Sequence, residues 1–214
     1  GERRGSWHTL ASHDGLAAGT ITQIMQDRDG HIWMGTRDTG VLRYDGVRLT
    51  TYDQTDGLPS NAVESLYQSE DGDLWFGTGV PGETRTTGVV RYDGANFTIY
   101  DGVDGLDGIV LDLIQTQDKR MWIGTTAGLY VIDATGLRTI GSDFEVLSLF
   151  EDRSGTLWVV TGRGTSGNGA MLWRVEHDQI VPINVPLGDE ARLAAIDQSS
   201  DGTYWLAEAR GGLG

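Results

Sequence analysis

The sequence contains no cysteine, only four prolines, a single lysine and no long apolar run. Without cysteine the chain has no disulfides, thiolate zinc sites or cysteine nucleophiles. A membrane-spanning helix needs about 18 or more consecutive apolar residues, so none is expected here. Because no apolar segment follows the basic residues at the start, a signal peptide is expected to be absent or already removed.

Positive charge is also scarce. The chain has 16 basic and 31 acidic residues, and its formal net charge is −15. Nucleic-acid binding requires a basic surface that meets the phosphates. Anionic lipid surfaces repel a chain of this charge. We therefore expect neither nucleic acid nor a membrane surface as a partner.

Glycine and tryptophan, in contrast, are abundant. The 32 glycines and seven tryptophans exclude a disordered Pro/Gly tract and indicate a packed chain with many tight turns. Five tryptophans follow the same pattern of an apolar stretch, a polar turn and a second apolar stretch. They are Trp33, Trp75, Trp122, Trp158 and Trp205, spaced 42, 47, 36 and 47 residues apart. A period of roughly 40–50 residues is typical of β-propeller blades.

Each repeat is predicted to form four strands. The first, innermost strands are predicted at 21–26, 63–68, 110–115, 146–150 and 193–197. The second strands carry the tryptophan, third strands are predicted at 40–45, 88–93 and 128–133, and outer strands at 49–52 and 97–100. Asp-Gly pairs between them favour hairpin turns. We predict an all-β fold, a β-propeller of four-stranded antiparallel blades with about five blades in this chain.

The repeats are placed at about 21–61, 62–108, 109–142, 143–190 and 191–214, in a single propeller domain or a propeller fragment of residues 1–214. The last repeat is short, and the segment 6–12 resembles an outer strand without its own blade. Pairing of these two segments would close the ring and remove the open sheet edges. A longer array with further blades is the alternative.

The repeated residues resemble a known family. The pattern Gln-Asp-x-x-Gly-x-apolar-Trp-apolar-Gly-Thr, then Gly-apolar-apolar-x-Tyr-Asp and Asp-Gly-Leu, is similar to the two-component-regulator propeller repeat. The first two repeats match closely, the third matches in part, and the last two lack the Gly-Thr ending.

The resemblance implies a sensory role. Propellers of this family are extracytoplasmic, often precede a membrane helix and a histidine kinase, and in some cases respond to carbohydrate. A non-catalytic, ligand-binding sensor propeller in the periplasm or outside the cell is therefore expected, with no cofactor. The alternatives are a propeller lyase or hydrolase acting on polysaccharide, and a protein-interaction scaffold.

Several residues fit structural roles better than chemical ones. The repeated tryptophans are expected to pack between blades rather than to stack on sugars. Asp27, Asp29 and their neighbours form only a fragment of a calcium loop, so no metal is expected. The four histidines are His8, His13, His31 and His177, and their predicted places on different faces do not favour a shared catalytic site.

The predicted binding residues are arginines in the loops between second and third strands. Loops on a rigid scaffold commonly carry binding groups. Four of the five loops contain an arginine: Arg37, Arg85, Arg163 and Arg210. Together they predict a cationic ring that contacts a small-molecule or glycan ligand with acidic groups, through bidentate guanidinium contacts. Solvated loop arginines are the alternative interpretation.

Overall fold

The computed structural model describes residues 20–80, 83–162, 171–185 and 193–208, and these residues form strands and turns without a helix. The first blade contains β1 (Ile21–Gln26), β2 (Ile32–Thr36), β3 (Val41–Tyr44) and β4 (Leu49–Tyr52). The second contains β5 (Val63–Gln68), β6 (Leu74–Val80), β7 (Glu83–Tyr92) and β8 (Phe97–Asp101). The third contains β9 (Val110–Gln115), β10 (Met121–Thr125), β11 (Gly128–Asp133) and β12 (Gly136–Ser142).

The fourth blade contains β13 (Val146–Glu151), β14 (Leu157–Thr161), β15 (Met171–Glu176) and β16 (Gln179–Ile183), and the fifth contains β17 (Leu193–Gln198) and β18 (Tyr204–Glu208). In the first four blades the strands pair antiparallel in chain order. The first strands of successive blades lie side by side, β1 with β5, β5 with β9, β9 with β13 and β13 with β17. The predicted all-β propeller and its innermost strands are confirmed.

Some predicted boundaries were wrong. The loop predicted at 79–87 is a continuation of the hairpin, because β6 and β7 extend until Val80 pairs with Glu83. The third strand of the first blade is shorter than predicted, and β8, β13 and β17 are each one residue longer. The remaining strands of the fifth blade and the segment 6–12 lie outside the described residues, so ring closure and the repeat limits stay predictions.

The hydrophobic core lies between consecutive blades. One cluster joins Trp33 and Val41 of the first blade to Leu66 and Phe76 of the second, and equivalent clusters join the later blades. Trp33, Trp75 and Trp122 are buried as predicted, and Trp158 is partly buried. For Trp205 the prediction of packing was wrong, because this side chain is exposed and no blade follows it within the described residues.

In the first, third and fourth blades, the residue after the first strand caps the hairpin and accepts a hydrogen bond from the tryptophan. The carboxylate of Asp27 accepts hydrogen bonds from the amides of Asp29 and His31 and from Trp33 Nε1, the last at 2.7 Å. Thr116 and Asp152 accept from Trp122 Nε1 and Trp158 Nε1 at 3.1 and 2.8 Å. In the second blade this position is Ser69, and the buried Trp75 Nε1 has no hydrogen-bond partner.

Ser69→Asp is therefore expected to stabilise the protein by about 1 kcal/mol, because it gives the buried Trp75 Nε1 an acceptor. The melting temperature should rise by about 2–4 °C for a chain of this size. Ser199→Asp is the matched control in the fifth blade, where Trp205 is already exposed. An equal effect of the two substitutions on the melting temperature would show that the indole bond is not the cause.

From the second blade onward, the last residue of the first strand joins neighbouring blades. Its side-chain oxygen accepts a hydrogen bond from a backbone amide in the turn of the preceding blade, at 2.7–3.2 Å. The pairs are Gln68 with Arg28, Gln115 with Glu70, Glu151 with Gln117, and Gln198 with Arg153. Each glutamine also donates its Nε2–H to a carbonyl of its own turn, as Gln68 does to Gly72 at 3.0 Å. An ionised Glu151 cannot make this second bond.

Glu151→Gln is expected to stabilise the protein at neutral pH by about 1 kcal/mol, because it adds the missing donor. Burial raises the pKa of Glu151 above its ordinary value, with further contributions from the charges of Asp118 and Asp152. The wild type therefore gains stability as the pH falls through this raised pKa, and loses it as the pH rises again.

The difference in melting temperature between Glu151→Gln and wild type should thus be largest near pH 7 and shrink towards pH 4.5. Gln115→Glu is the reciprocal control and should destabilise, again most at neutral pH. A difference that does not change with pH would contradict the assignment of the effect to Glu151 ionisation.

Candidate ligand-binding clefts

The meander gives the propeller two different faces. The turns from first to second strand and from third to fourth strand lie on one face, called here the turn face. The turns from second to third strand and the crossings between blades lie on the opposite face, called the connector face. The loops in which the arginines are predicted run from second to third strands, and the structure describes Arg37 on the connector face.

Arg37 lies on the connector face directly after β2, and its backbone amide donates to the Thr20 carbonyl at 3.0 Å. Its side chain is 67% exposed, and Nε lies 3.9 Å from Glu64 Oε1. A surface ion pair at this distance contributes little free energy, so the guanidinium remains accessible to a ligand.

The other three predicted arginines are not brought into one site by the described residues. Arg85 lies within β7 rather than in a loop, because the hairpin of the second blade extends through it. Arg163 and Arg210 lie outside the described residues. The cationic ring of Arg37, Arg85, Arg163 and Arg210 therefore stays a prediction.

A cleft of about 530 Å³ opens on the connector face beside the third blade. Its wall combines three carboxylates, three hydroxyls and two aromatic rings, and one of the hydroxyls belongs to a tyrosine. The lining residues are Asp107, Thr126, Ala127, Tyr130, Ser142, Asp143, Phe144 and Glu145. We call this the connector-face cleft.

Local backbone geometry holds this cleft in place. The Asp107 amide donates to Tyr130 Oη at 3.3 Å, and the Ile109 amide donates to Thr126 Oγ1 at 2.9 Å. Asp143 has a φ of 69°, and its amide donates to the Ala127 carbonyl at 3.0 Å. On the outer side, the Phe144 ring stacks on Trp173 at a centroid distance of 6.3 Å. Both blade crossings at the cleft are thus tied to the third blade.

The cleft can accept hydrogen bonds and cover an apolar surface. Asp107 and Asp143 are exposed, whereas Glu145 and Phe144 are half-buried. Burial raises the pKa of Tyr130 above its ordinary value, so its phenol stays neutral and available as a donor. On the described part of this face the carboxylates are more numerous than the basic side chains, represented by Arg37. This negative balance favours an uncharged or cationic ligand at this cleft.

Sequence reasoning missed the connector-face cleft. Its carboxylates lie in polar turns, where they are expected as ordinary turn formers. One signal was present in Phe144, an aromatic residue outside the repeat pattern and next to two acidic residues. Only the packing of the third and fourth blades shows that these residues share one cleft.

A second cleft of about 530 Å³ lies on the turn face between the first and second blades. It contains the pair of His31 Nδ1 and Asp27 Oδ2, 2.9 Å apart, and His31 Nε2 lies 2.8 Å from an Arg43 nitrogen. These contacts fit a neutral imidazole that donates through Nδ1 and accepts from Arg43. Both ring nitrogens are thus engaged, which leaves His31 no free position for acid–base chemistry.

Among the described residues, one group of side chains has the spacing of metal ligands, and it lies in this same turn. Ligand atoms of Asp27, Asp29 and His31 lie within 4.8 Å of one another. Both Asp27 oxygens already accept hydrogen bonds from the turn and from Trp33. The geometry is that of a capped hairpin, and we assign no metal to it.

Polar side chains of the innermost strands also form hydrogen bonds with backbone amides of the next blade. The third residue of β1, Gln23, accepts a hydrogen bond from the Leu66 amide at 2.6 Å. The equivalent residue of β9, Asp112, accepts from the Leu149 amide at 2.8 Å. Burial raises the pKa of Asp112, and these backbone bonds partly offset that effect. These polar groups on the channel side therefore form hydrogen bonds between neighbouring blades.

The family model described as two component regulator propeller matches residues 15–38 and 57–79. Each matched segment ends at the close of a tryptophan-bearing second strand. These segments are two-component regulator propeller repeats. The first two repeats of the predicted resemblance are thereby confirmed. No curated protein sequence matches the chain.

Solved structures with similar folds include a lyase and an extracellular domain of a two component system. Virginiamycin B lyase from Staphylococcus aureus is 15% identical, with a TM-score of 0.67 over 89% of this chain and 63% of the lyase. The extracellular domain of a putative hybrid two component system from B. thetaiotaomicron is 18% identical, with a TM-score of 0.51 over 91% of this chain and 31% of that one.

A third similar structure is YCF48 bound to D1 peptide, 13% identical, with a TM-score of 0.63 over 91% of this chain and 63% of that one. The propeller-repeat chain thus spans less than two thirds of each of these structures. At such low identity the likeness establishes the propeller fold alone. Within the described ranges, no helix is long and apolar enough to cross a bilayer.

Proposed function

We propose that this chain is the ligand-binding propeller of a bacterial two-component-type sensor, located in the periplasm or outside the cell, and that it is not an enzyme. The two matched regulator repeats support the sensory role. The likeness to the extracellular domain of a hybrid two component system supports it further, although that likeness concerns the fold.

The chemical class of the ligand is inferred from the residues that line the connector-face cleft. Carboxylates accept hydrogen bonds from ligand hydroxyls, and an aromatic ring covers an apolar ligand face. Asp107, Asp143 and Glu145 with Phe144 provide both kinds of group around one cleft. We assign an uncharged carbohydrate to this cleft, because a carboxylate-bearing sugar would be repelled there.

An anionic carbohydrate is the second candidate ligand and rests on a different group of residues. Arg37 is accessible on the same face, and Arg85, Arg163 and Arg210 would have to converge with it. Bidentate guanidinium contacts would then bind a uronic or sulfated sugar.

Binding measurements with a panel of neutral and acidic glycans distinguish between the two candidate ligands. For a neutral ligand, the pair Asp143→Asn and Glu145→Gln should weaken binding at least about tenfold, because charged hydrogen bonds contribute about 1.5–3 kcal/mol. Asparagine tolerates the positive φ of Asp143, which keeps the fold intact. For an acidic ligand, the pair Arg37→Glu and Arg163→Glu should remove binding instead.

The control for the glycan panel is Asp29→Asn on the turn face, which should leave binding unchanged. Binding of neutral glycans that survives Asp143→Asn with Glu145→Gln would exclude the connector-face cleft as the site. Absence of binding to every glycan in the panel would contradict the carbohydrate assignment for both groups of residues.

Catalysis on polysaccharide is the alternative that the similarity to a lyase raises. A propeller lyase needs a histidine and a carboxylate that converge on the substrate. Among the described residues the close pair is His31 with Asp27, and both side chains are engaged in the hairpin. We therefore expect glycans incubated with the protein to be recovered uncleaved.

A further inference from the structure

The two blades beside the connector-face cleft depart from the repeat at the same position. In each third strand, one residue pairs with the residue that follows the second-strand tryptophan. This residue is aliphatic in the first two blades, where it is Leu42 and Val90. In the third and fourth blades it is Tyr130 and Trp173. Tyr130 lines the cleft, and Trp173 stacks on Phe144, which lines it as well. The repeat thus changes where the cleft lies, and the change adds aromatic rings with polar tips.

The hydroxyl of Tyr130 is a buried hydrogen-bond donor at the cleft. The residue is only 3% exposed. Its Oη accepts a hydrogen bond from the amide of Asp107, another lining residue, so the hydroxyl is the part of the side chain that reaches the cleft. Among the described residues, no acceptor takes the hydroxyl hydrogen. Because buried polar groups are normally hydrogen-bonded, this donor favours a ligand that supplies an acceptor.

The crossing from the third to the fourth blade forms a second wall with different chemistry. Asp143, Phe144 and Glu145 follow one another there and all line the cleft. The Asp143 carboxylate accepts from Ser142 Oγ at 3.1 Å, and no donor among the described residues bonds to the Glu145 carboxylate. Ionised carboxylates only accept hydrogen bonds, so this wall suits a ligand donor. The Phe144 ring between them suits an apolar group.

We propose that the connector-face cleft binds the acetamido group of an N-acetylated amino sugar. An acetamido group is planar and trans, so its C=O and N–H point in opposite directions and its methyl lies on the N–H side. The carbonyl accepts a hydrogen bond from Tyr130 Oη. On the other wall, the N–H donates to a carboxylate of the segment 143–145, and the methyl packs on Phe144.

This assignment rests on the proposed function, because it names the sugar that the same cleft recognises. An N-acetylated sugar is uncharged, as the carboxylates of the cleft require. The parent hexose has a hydroxyl in place of the acetamido group and offers neither the carbonyl nor the methyl. The free amino sugar carries a positive charge and has no acceptor for Tyr130. The group on one sugar carbon therefore decides which ligand the cleft prefers.

Titration calorimetry with the methyl glycosides of N-acetylglucosamine, glucose and glucosamine, and with the corresponding galactose series, tests the proposal. The wild type should bind an N-acetylated sugar about tenfold more tightly than its parent hexose, because one hydrogen bond and one buried methyl group are added. Tyr130→Phe keeps the buried ring and removes the donor. It should weaken binding of the N-acetylated sugar about fivefold, and the preference over the hexose should fall by the same factor.

Tyr67→Phe is the matched control. Tyr67 also packs between the second and third blades, but its hydroxyl donates to the Gln115 carbonyl at 3.4 Å and it does not line the cleft. This variant should keep the wild-type preference. The comparison of sugars on the wild type tests the proposal independently of how well either variant folds.

Equal affinity of the wild type for N-acetylated sugars and their parent hexoses overturns the acetamido assignment and leaves the proposed carbohydrate sensor in place. A preference that persists in Tyr130→Phe overturns it as well. Tightest binding by glucosamine would mean that the carboxylates select charge alone, which also contradicts the proposal. Absence of binding by every sugar overturns this assignment together with the proposed ligand.

Discussion

Gly124→Ala is expected to lower the free energy of unfolding by about 2–3 kcal/mol, at the upper end for overpacking of a core. A Cβ at this position would lie 2.4 Å from Val146 Cγ1 and 2.9 Å from Val146 Cβ in the next blade. Both atoms belong to Val146, which is fully buried in a first strand that is itself hydrogen-bonded to the third blade, so neither atom can move away easily. The melting temperature should fall by about 4–12 °C for a chain of this size.

A double-mutant cycle with Val146→Ala identifies the cause of this loss. The smaller side chain removes the atoms that the new Cβ would meet, so the double variant should be more stable than the sum of the single effects by about 0.5–3 kcal/mol. Gly102→Ala is the control, because its Cβ would approach only the Leu106 carbonyl at 3.7 Å. Additive effects of Gly124→Ala and Val146→Ala would contradict the interblade clash.

Asp27→Ala is expected to destabilise the protein by about 3 kcal/mol, because the buried Trp33 Nε1 and two turn amides lose their acceptor. Asp27→Thr should lose less, since Thr116 shows that a threonine in this position can bond both the turn and its tryptophan. Denaturant unfolding of the three proteins gives the comparison, and Asp29→Ala serves as the exposed control.

The same carboxylate makes stability depend on acid. Burial acts to raise the pKa of Asp27, but hydrogen bonds from Trp33 and His31 outweigh it and hold the pKa below 3.8. Its contribution is therefore complete above the ordinary aspartate pKa and is lost as the pH falls through the lowered value. The difference between wild type and Asp27→Ala should shrink below pH 4. If the difference in stability between wild type and Asp27→Ala is unchanged at pH 3, the acid dependence does not arise from the Asp27 carboxylate.

The blades could be predicted from the sequence because each one is encoded locally. Short apolar stretches before the polar turns define β5 and β9 to the residue, and Asp-Gly pairs define the turns. The long hairpin of β6 and β7 could not be predicted, because Gly79 near the end of β6 and Pro81 directly after β6 favour a loop. There, pairing of Val80 with Glu83 overrides the local preference.

The candidate site was the part that local patterns could not locate. Arg37 stands out by its charge, and the sequence places it correctly on the connector face. Asp107 and Phe144 are 37 residues apart, and nothing in the spacing of turn residues predicts that they line one cleft. Their proximity arises because the crossings on both sides of the third blade are hydrogen-bonded to that blade.

The sequence by itself thus determined the type of the strands and the four-strand pattern of the first four blades, because strand and turn preferences act over a few neighbouring residues. Which side chains meet across blades was decided only by the tertiary structure. Trp33 and Trp205 follow the same local pattern, yet one is buried and the other exposed. The difference arises because burial depends on a neighbouring blade, and a repeat carries no local record of whether a neighbour follows it.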